Sequence, residues 1–215
     1  MDSGSIYEKG SDSSDKQSSN VWKKSHWYTV VRLIYGGITT PKFESLEVSL
    51  EIPLFGSVTG TWKPNDAEKK AAWEMYIELV TRISVVELKD EDGILRESLD
   101  SLYSLFQTTR DILKKYGPDV AIPRKKNELS FGKLAVIILN YQIRPVLAKW
   151  HPLLKDYEGQ RKKGVSIIAH EKEWQYNHEL RQVLNETRKQ LMQYSVYLAK
   201  VANVTPLFDE THLDG

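Results

Sequence analysis

The sequence predicts a mainly α protein: an antiparallel four-helix bundle with a small N-terminal two-stranded β element. Three observations carry this. Four stretches repeat apolar residues at three- and four-residue spacing, the period of an amphipathic helix. Short to moderate loops join them, which favours antiparallel neighbours. Before residue 62 the pattern changes to β-branched and aromatic residues with strict polar–apolar alternation. The expected organisation is a disordered tail over 1–20, a hairpin-like appendage over 21–62, the helical bundle over 63–204 and a flexible tail over 205–215.

Residues 1–20 are mostly serine, aspartate, glycine and lysine, with too little apolar surface to offset the entropy of ordering. Trp27 to Ile34 reads as a strand ended by Gly36-Gly37. Ser45 to Ile52 reads as a second, with Leu46, Val48, Leu50 and Ile52 pointing inward. The two are expected to pair, and to pack on helices because two strands alone are marginal in water. Pro64-Asn65-Asp66 starts the first helix, whose stripe is Trp73, Tyr76, Ile77, Val80 and Ile83. Asp90 to Gly93 breaks it. The second helix spans Ile94 to Tyr116 with Leu95, Leu99, Leu102, Phe106 and Leu113, and Gly117-Pro118 stops it. Ser130 caps the third, which fades near Gly159 or Gly164. The fourth runs from about His170 to Asn203 until Thr205-Pro206. Leu180, Leu184, Thr187, Leu191, Tyr194, Leu198 and Val201 form its stripe, which fills the bundle or makes a dimer seam. No internal repeat is visible.

Composition narrows the function classes. With 215 residues and 40% hydrophobic content the chain can bury one real core. Thirty basic against twenty-nine acidic residues leave a net charge of +1, so no overall field recruits nucleic acid or membrane. With no cysteine there are no disulfides, thiolate nucleophiles or cysteine-ligated metals. The longest apolar run, Leu134 to Leu139, is far short of the roughly twenty residues that span a bilayer. The N-terminus lacks a signal-peptide pattern, and the expected location is the cytoplasm.

Candidate function concentrates in one segment, Asn140 to Pro152, inside the most apolar helix. It carries Asn140, Arg144, Trp150 and His151, with prolines at 145 and 152. Each polar group there costs stability unless something compensates, and Pro145 is expected to bend the helix and free the Tyr141 carbonyl. Arg144 and His151, two turns apart, project from nearly one face. One reading is a ligand site: a guanidinium to hold a phosphate or carboxylate, an imidazole to move a proton. The plainer reading ties Arg144 to a buried carboxylate on a neighbouring helix and lets His151 and Pro152 close the third helix. Arg144 and His151, with six residues between them, resemble the R-x(4–6)-H motif of HEPN-type ribonucleases. That resemblance implies a helical bundle, often dimeric, in which both residues of both chains meet at a cleft. The phrase Leu139 to Leu153 also resembles uncharacterised bacterial helical proteins of conflict or defence systems, which implies a bacterial origin and no established activity.

The remaining motifs read as structural. His170 and His178 are eight apart, not the three or four that metal ligation on one helix needs, and no metal or other cofactor is expected. Glu171 and Glu173 are expected to favour the positive start of their own helix. Lys23-Lys24, Arg124 to Lys126 and Arg161 to Lys163 read as solvated loop charges, so nucleic-acid binding is not favoured. Gly36-Gly37 and Phe55 to Gly60 lack a phosphate-loop pattern and read as turn and linker glycines. The function expected is a non-catalytic helical interaction or regulatory module, homo-oligomeric or bound to a protein partner. The alternatives are a HEPN-like ribonuclease using Arg144 and His151, and a sensor pocket for a small anionic ligand built round Arg144.

Overall fold

A computed structural model describes residues 44–52, 55–82, 88 and 93–207. The chain divides into two units, Met1–Lys42 and Phe43–Gly215, and every described residue belongs to the second. The tail over 1–20, the strand Trp27 to Ile34 and Ile83 lie outside the described residues.

Strand β1, Leu46–Ile52, forms as its alternation predicts. Val48, Leu50 and Ile52 are buried and Leu46 is half-buried. Among the described residues its partner is β2, Gly56–Trp62, antiparallel from Leu46 opposite Trp62 to Ile52 opposite Gly56. The glycines at 56 and 60 therefore belong to a strand, not a linker. Gly60 is needed there: a Cβ would sit 2.5 Å from the Asn127 carbonyl oxygen. That carbonyl accepts the Thr61 N–H at 2.9 Å, so the short β3, Glu128–Leu129, can lie parallel to β2.

Helix α1, Asp66–Val80, opens with a capping box between Asn65 and Glu68. The Glu68 carboxylate is fully buried and does more than cap. It accepts from Asn65 N (3.0 Å), the Trp62 indole (3.2 Å) and Phe131 N (3.0 Å), and pairs with Arg124. One carboxylate thereby joins the end of β2, the start of α1, the loop at Arg124 and the helix start at Phe131. The inward face of α1 is Glu68, Ala71, Ala72, Met75, Tyr76 and Leu79. Trp73, expected inside, is 40% exposed.

Helix α2, Leu95–Tyr116, buries Leu95, Leu99, Leu102, Leu105 and Ile112 and ends at Gly117 with φ +61°. Phe106 and Leu113 are only partly buried. A continuous helical run follows, made of α3 (Phe131–Ile137), a π-helical turn (Ile138–Ile143) and α4 (Arg144–Glu158). Ser130 caps it as expected, accepting from Lys133 N. Pro145 has no N–H to donate, and the wide turn lies just before it. Arg144 N–H reaches Leu139 O, five residues back, so the missing bond is accommodated inside a widened helix. Pro152 sits inside α4 and does not close it.

The expected fourth helix is two. Short α5, Ile167–Lys172, and long α6, Asn177–Ala202, are separated by 173–176. All seven stripe residues of α6 are buried, and Asn203 ends it at φ +57°. Helix α6 packs on α1 and β1. The Tyr197 hydroxyl donates to Ser49 O (2.9 Å) and accepts from Ser49 N (3.2 Å), fixing β1 to the helices. The fold is mainly helical with a small three-stranded sheet, and the described residues hold five helical runs where four were expected.

Candidate functional site

Cross-contacts run down α2 as they climb the 131–158 run: Arg96 with Glu158, Asp100 with His151, Phe106 with Arg144. The two helices are therefore antiparallel neighbours. Between them lies an open groove of about 580 Å³, with Tyr103, Phe106, Arg110 and Leu113 on one wall. The facing wall includes Leu139, Asn140, Arg144, Leu147 and His151. Three of the four sequence-predicted site residues, Asn140, Arg144 and His151, thus share one site.

Arg144 is exposed and has no carboxylate partner among the described residues. Its Nε donates to Asn140 Oδ1 at 3.1 Å, and its guanidinium carbon lies 5.3 Å from the Phe106 ring centroid. The expected tie to a buried carboxylate is absent here. Asn140 and Phe106 orient the fork, while its outer N–H donors have no anionic partner among the described residues. Arg110, also exposed, spends its Nε on the Phe106 carbonyl (3.0 Å) and brings a second guanidinium to the same groove.

His151 is the residue held as a structural tie. Its Nε2 lies 3.1 Å from Asp100 Oδ1, and Arg96 Nη1 lies 3.3 Å from Nδ1 and 3.2 Å from Nε2. Arg96 Nη1 is nearly equidistant from the two ring nitrogens, and Nε2 faces the Asp100 carboxylate. Arg96 in turn grips Glu158 with Nε (3.0 Å) and Nη2 (2.9 Å). The imidazole is thus held between Asp100 and Arg96 at the α2–α4 junction.

Trp150 does not reach the groove. It is 2% exposed, packed edge-on against Trp174 and Tyr176 with Lys149 over its ring at 4.2 Å. It is a core residue, because a side chain one position before His151 on a helix points about 100° away. His170 stacks flat on Tyr157 (4.1 Å, 4°), and His178 faces Gln182 at 3.0 Å. No group of His, Asp or Glu among the described residues is arranged to hold a metal ion.

The structure also corrects the reading of two charges. Arg124, expected in a solvated cluster, is the ion-pair partner of buried Glu68. Glu171 caps a different helix from its own: α2 has no side-chain cap at Ile94, and Glu171 Oε2 accepts the Leu95 N–H at 3.0 Å. Burial holds the Glu171 carboxyl above the usual carboxylate range, against the opposing pull of Leu95, Arg96 and Arg181. Sequence reasoning missed Tyr103 and Arg110 as site residues. Their signal is present: seven apart, they flank Phe106 on one face of α2.

No family model, curated protein or solved structure matches this chain. No helix among the described residues is long and apolar enough to cross a membrane.

Proposed function

We propose that the chain is a non-catalytic regulatory module whose α2–α4 groove binds an anionic ligand with an apolar body. The observation that carries this is Arg144: exposed, oriented by Asn140 and Phe106, and paired with no carboxylate among the described residues. Such a fork suits a carboxylate, sulfonate or phosphate bidentately. Phe106, Leu113, Leu139 and Leu147 supply apolar contact beside it, the mix typical of small-molecule sites. In this reading α1, α2, the 131–158 run and α6 are the four members of an antiparallel bundle, and α5 is a short insert. The contacts of the His151 ring with Asp100 and Arg96 weigh against an acid–base role, and so against a HEPN-like ribonuclease.

The test uses anilinonaphthalene sulfonate, an anion with an aromatic body, followed by fluorescence. Arg144→Gln weakens its binding about tenfold, the scale of one charged hydrogen-bonded contact. Binding of the uncharged phenylnaphthylamine is unchanged by the same substitution. Equal sulfonate affinity in wild type and Arg144→Gln refutes the groove as an anion site. RNA incubated with wild type and with His151→Ala is expected to stay equally intact.

A further inference from the structure

Away from the α2–α4 groove, the turn between α5 and α6 builds a second cleft of about 420 Å³. Its walls are aromatic. Tyr157 and Trp174 stack at 5.6 Å and 25°, and Tyr176 stands edge-on to Trp174 at 5.6 Å and 84°. The rings therefore meet as a right-angled corner, with Trp150 bracing it from behind. Trp174, 6% exposed, is the back of the corner, and Tyr176, 37% exposed, is its open wall.

The charges at this cleft have one sign. Asp156 and Glu173 line it, both exposed, and no lysine or arginine is among the lining residues. Among the described residues neither carboxylate has a hydrogen-bond or ion-pair partner. Glu173 lies close enough to act on Tyr157: burial pushes the phenol's pKa up, and the Glu173 charge adds to that push. Aromatic faces carry negative potential and attract cations, most of all ones whose methyl groups can shed water against the rings. A bare metal ion would find no such advantage here. Two unpaired carboxylates beside an aromatic corner match an organic cation in both charge and shape.

We propose that this cleft binds an alkylated ammonium ion, with the methyl groups against the open Tyr176 ring and the charge facing Asp156 and Glu173. Calorimetric titration of the full chain with choline tests it, set against its uncharged carbon isostere dimethylbutanol at matched ionic strength. Choline binds at a single site in the millimolar range, and dimethylbutanol binds about tenfold more weakly. Tyr176→Ala and Glu173→Gln each weaken choline by about three- to tenfold, while Arg144→Gln in the distant groove leaves it unchanged. Tyr176 also supports Trp150, so circular dichroism checks that the Tyr176→Ala variant folds. Glu173→Gln, at an exposed position, keeps the fold and can decide the matter alone. Equal affinity for choline and dimethylbutanol, an unchanged affinity in Glu173→Gln, or no binding at about 50 mM choline overturns the proposal.

Discussion

Arg124 and Arg144 occupy regions that treat the same side chain in opposite ways. Arg124 lies in a polar, proline-containing loop, where a solvated charge is the ordinary expectation. Yet its side chain is 14% exposed and meets the fully buried Glu68. Arg144 lies in the most apolar helical stretch, where a structural ion pair is the ordinary expectation. Yet it is exposed and faces an open groove without a carboxylate. The local sequence decides what an arginine costs. Which carboxylate comes within reach decides what it does, and that is settled by residues far away in the chain.

Substitution of the two arginines is the sharpest way to break this contrast. Arg124→Met strands a buried carboxylate, and a loss of about 3–5 kcal/mol of unfolding free energy is expected by urea denaturation. A loss below about 1 kcal/mol would put Arg124 on the same footing as a surface pair. A smaller effect is expected at Glu171, the other buried carboxylate among the described residues. Its folded pKa is raised, so the stability linked to its protonated form is present below the ordinary glutamate range. That stability is lost as pH rises through the raised value. Unfolding free energy measured across this window falls in the wild type, and Glu171→Gln flattens the fall. A slope unchanged by the substitution would show that Glu171 keeps an ordinary pKa. The smallest effect belongs to Arg144→Met: stability moves by less than about 0.5 kcal/mol, as for a surface site. A loss above about 2 kcal/mol would mean that Arg144 is a structural tie after all.

The parts of the fold legible in the sequence are those where one periodicity dominates. The seven α6 residues from Leu180 to Val201 were legible because a long amphipathic stripe leaves little choice of inward face. Strand β1 was legible through its alternation. Strand β2 was hidden because Gly56, Ser57, Thr59 and Gly60 look like loop, and the close approach of Asn127 that explains Gly60 is a tertiary fact. On α1 the small Ala71 and Ala72 and the polar Glu68 face inward, so a search for large apolar residues put Trp73 in the wrong place. The break between α5 and α6 carries no proline or glycine. It follows from Glu171 capping α2 and Trp174 turning into the core. The spacing that put Asn140, Arg144 and His151 near one face is matched by their lining of one groove. It could not show that Arg96 and Asp100, on another helix, would occupy the imidazole.

A π-turn is an α-helix holding one residue too many for its pitch. The turn at Ile138–Ile143 therefore sets a phase between the two halves of its run, as a shim sets the angle between two lengths of shaft. Val136 and Leu139 lie at or before it, Leu147 and His151 after it, and all four border the same groove. Deleting a single residue from 138–143 would let the run close in regular α register with its two halves in phase, whereas rewinding the same turn to α pitch with every residue kept would swing one half by about 100° against the other. The groove would then lose one wall's alignment although every lining side chain survived. Its alignment depends on the pitch of that turn as much as on the chemistry of the residues along it.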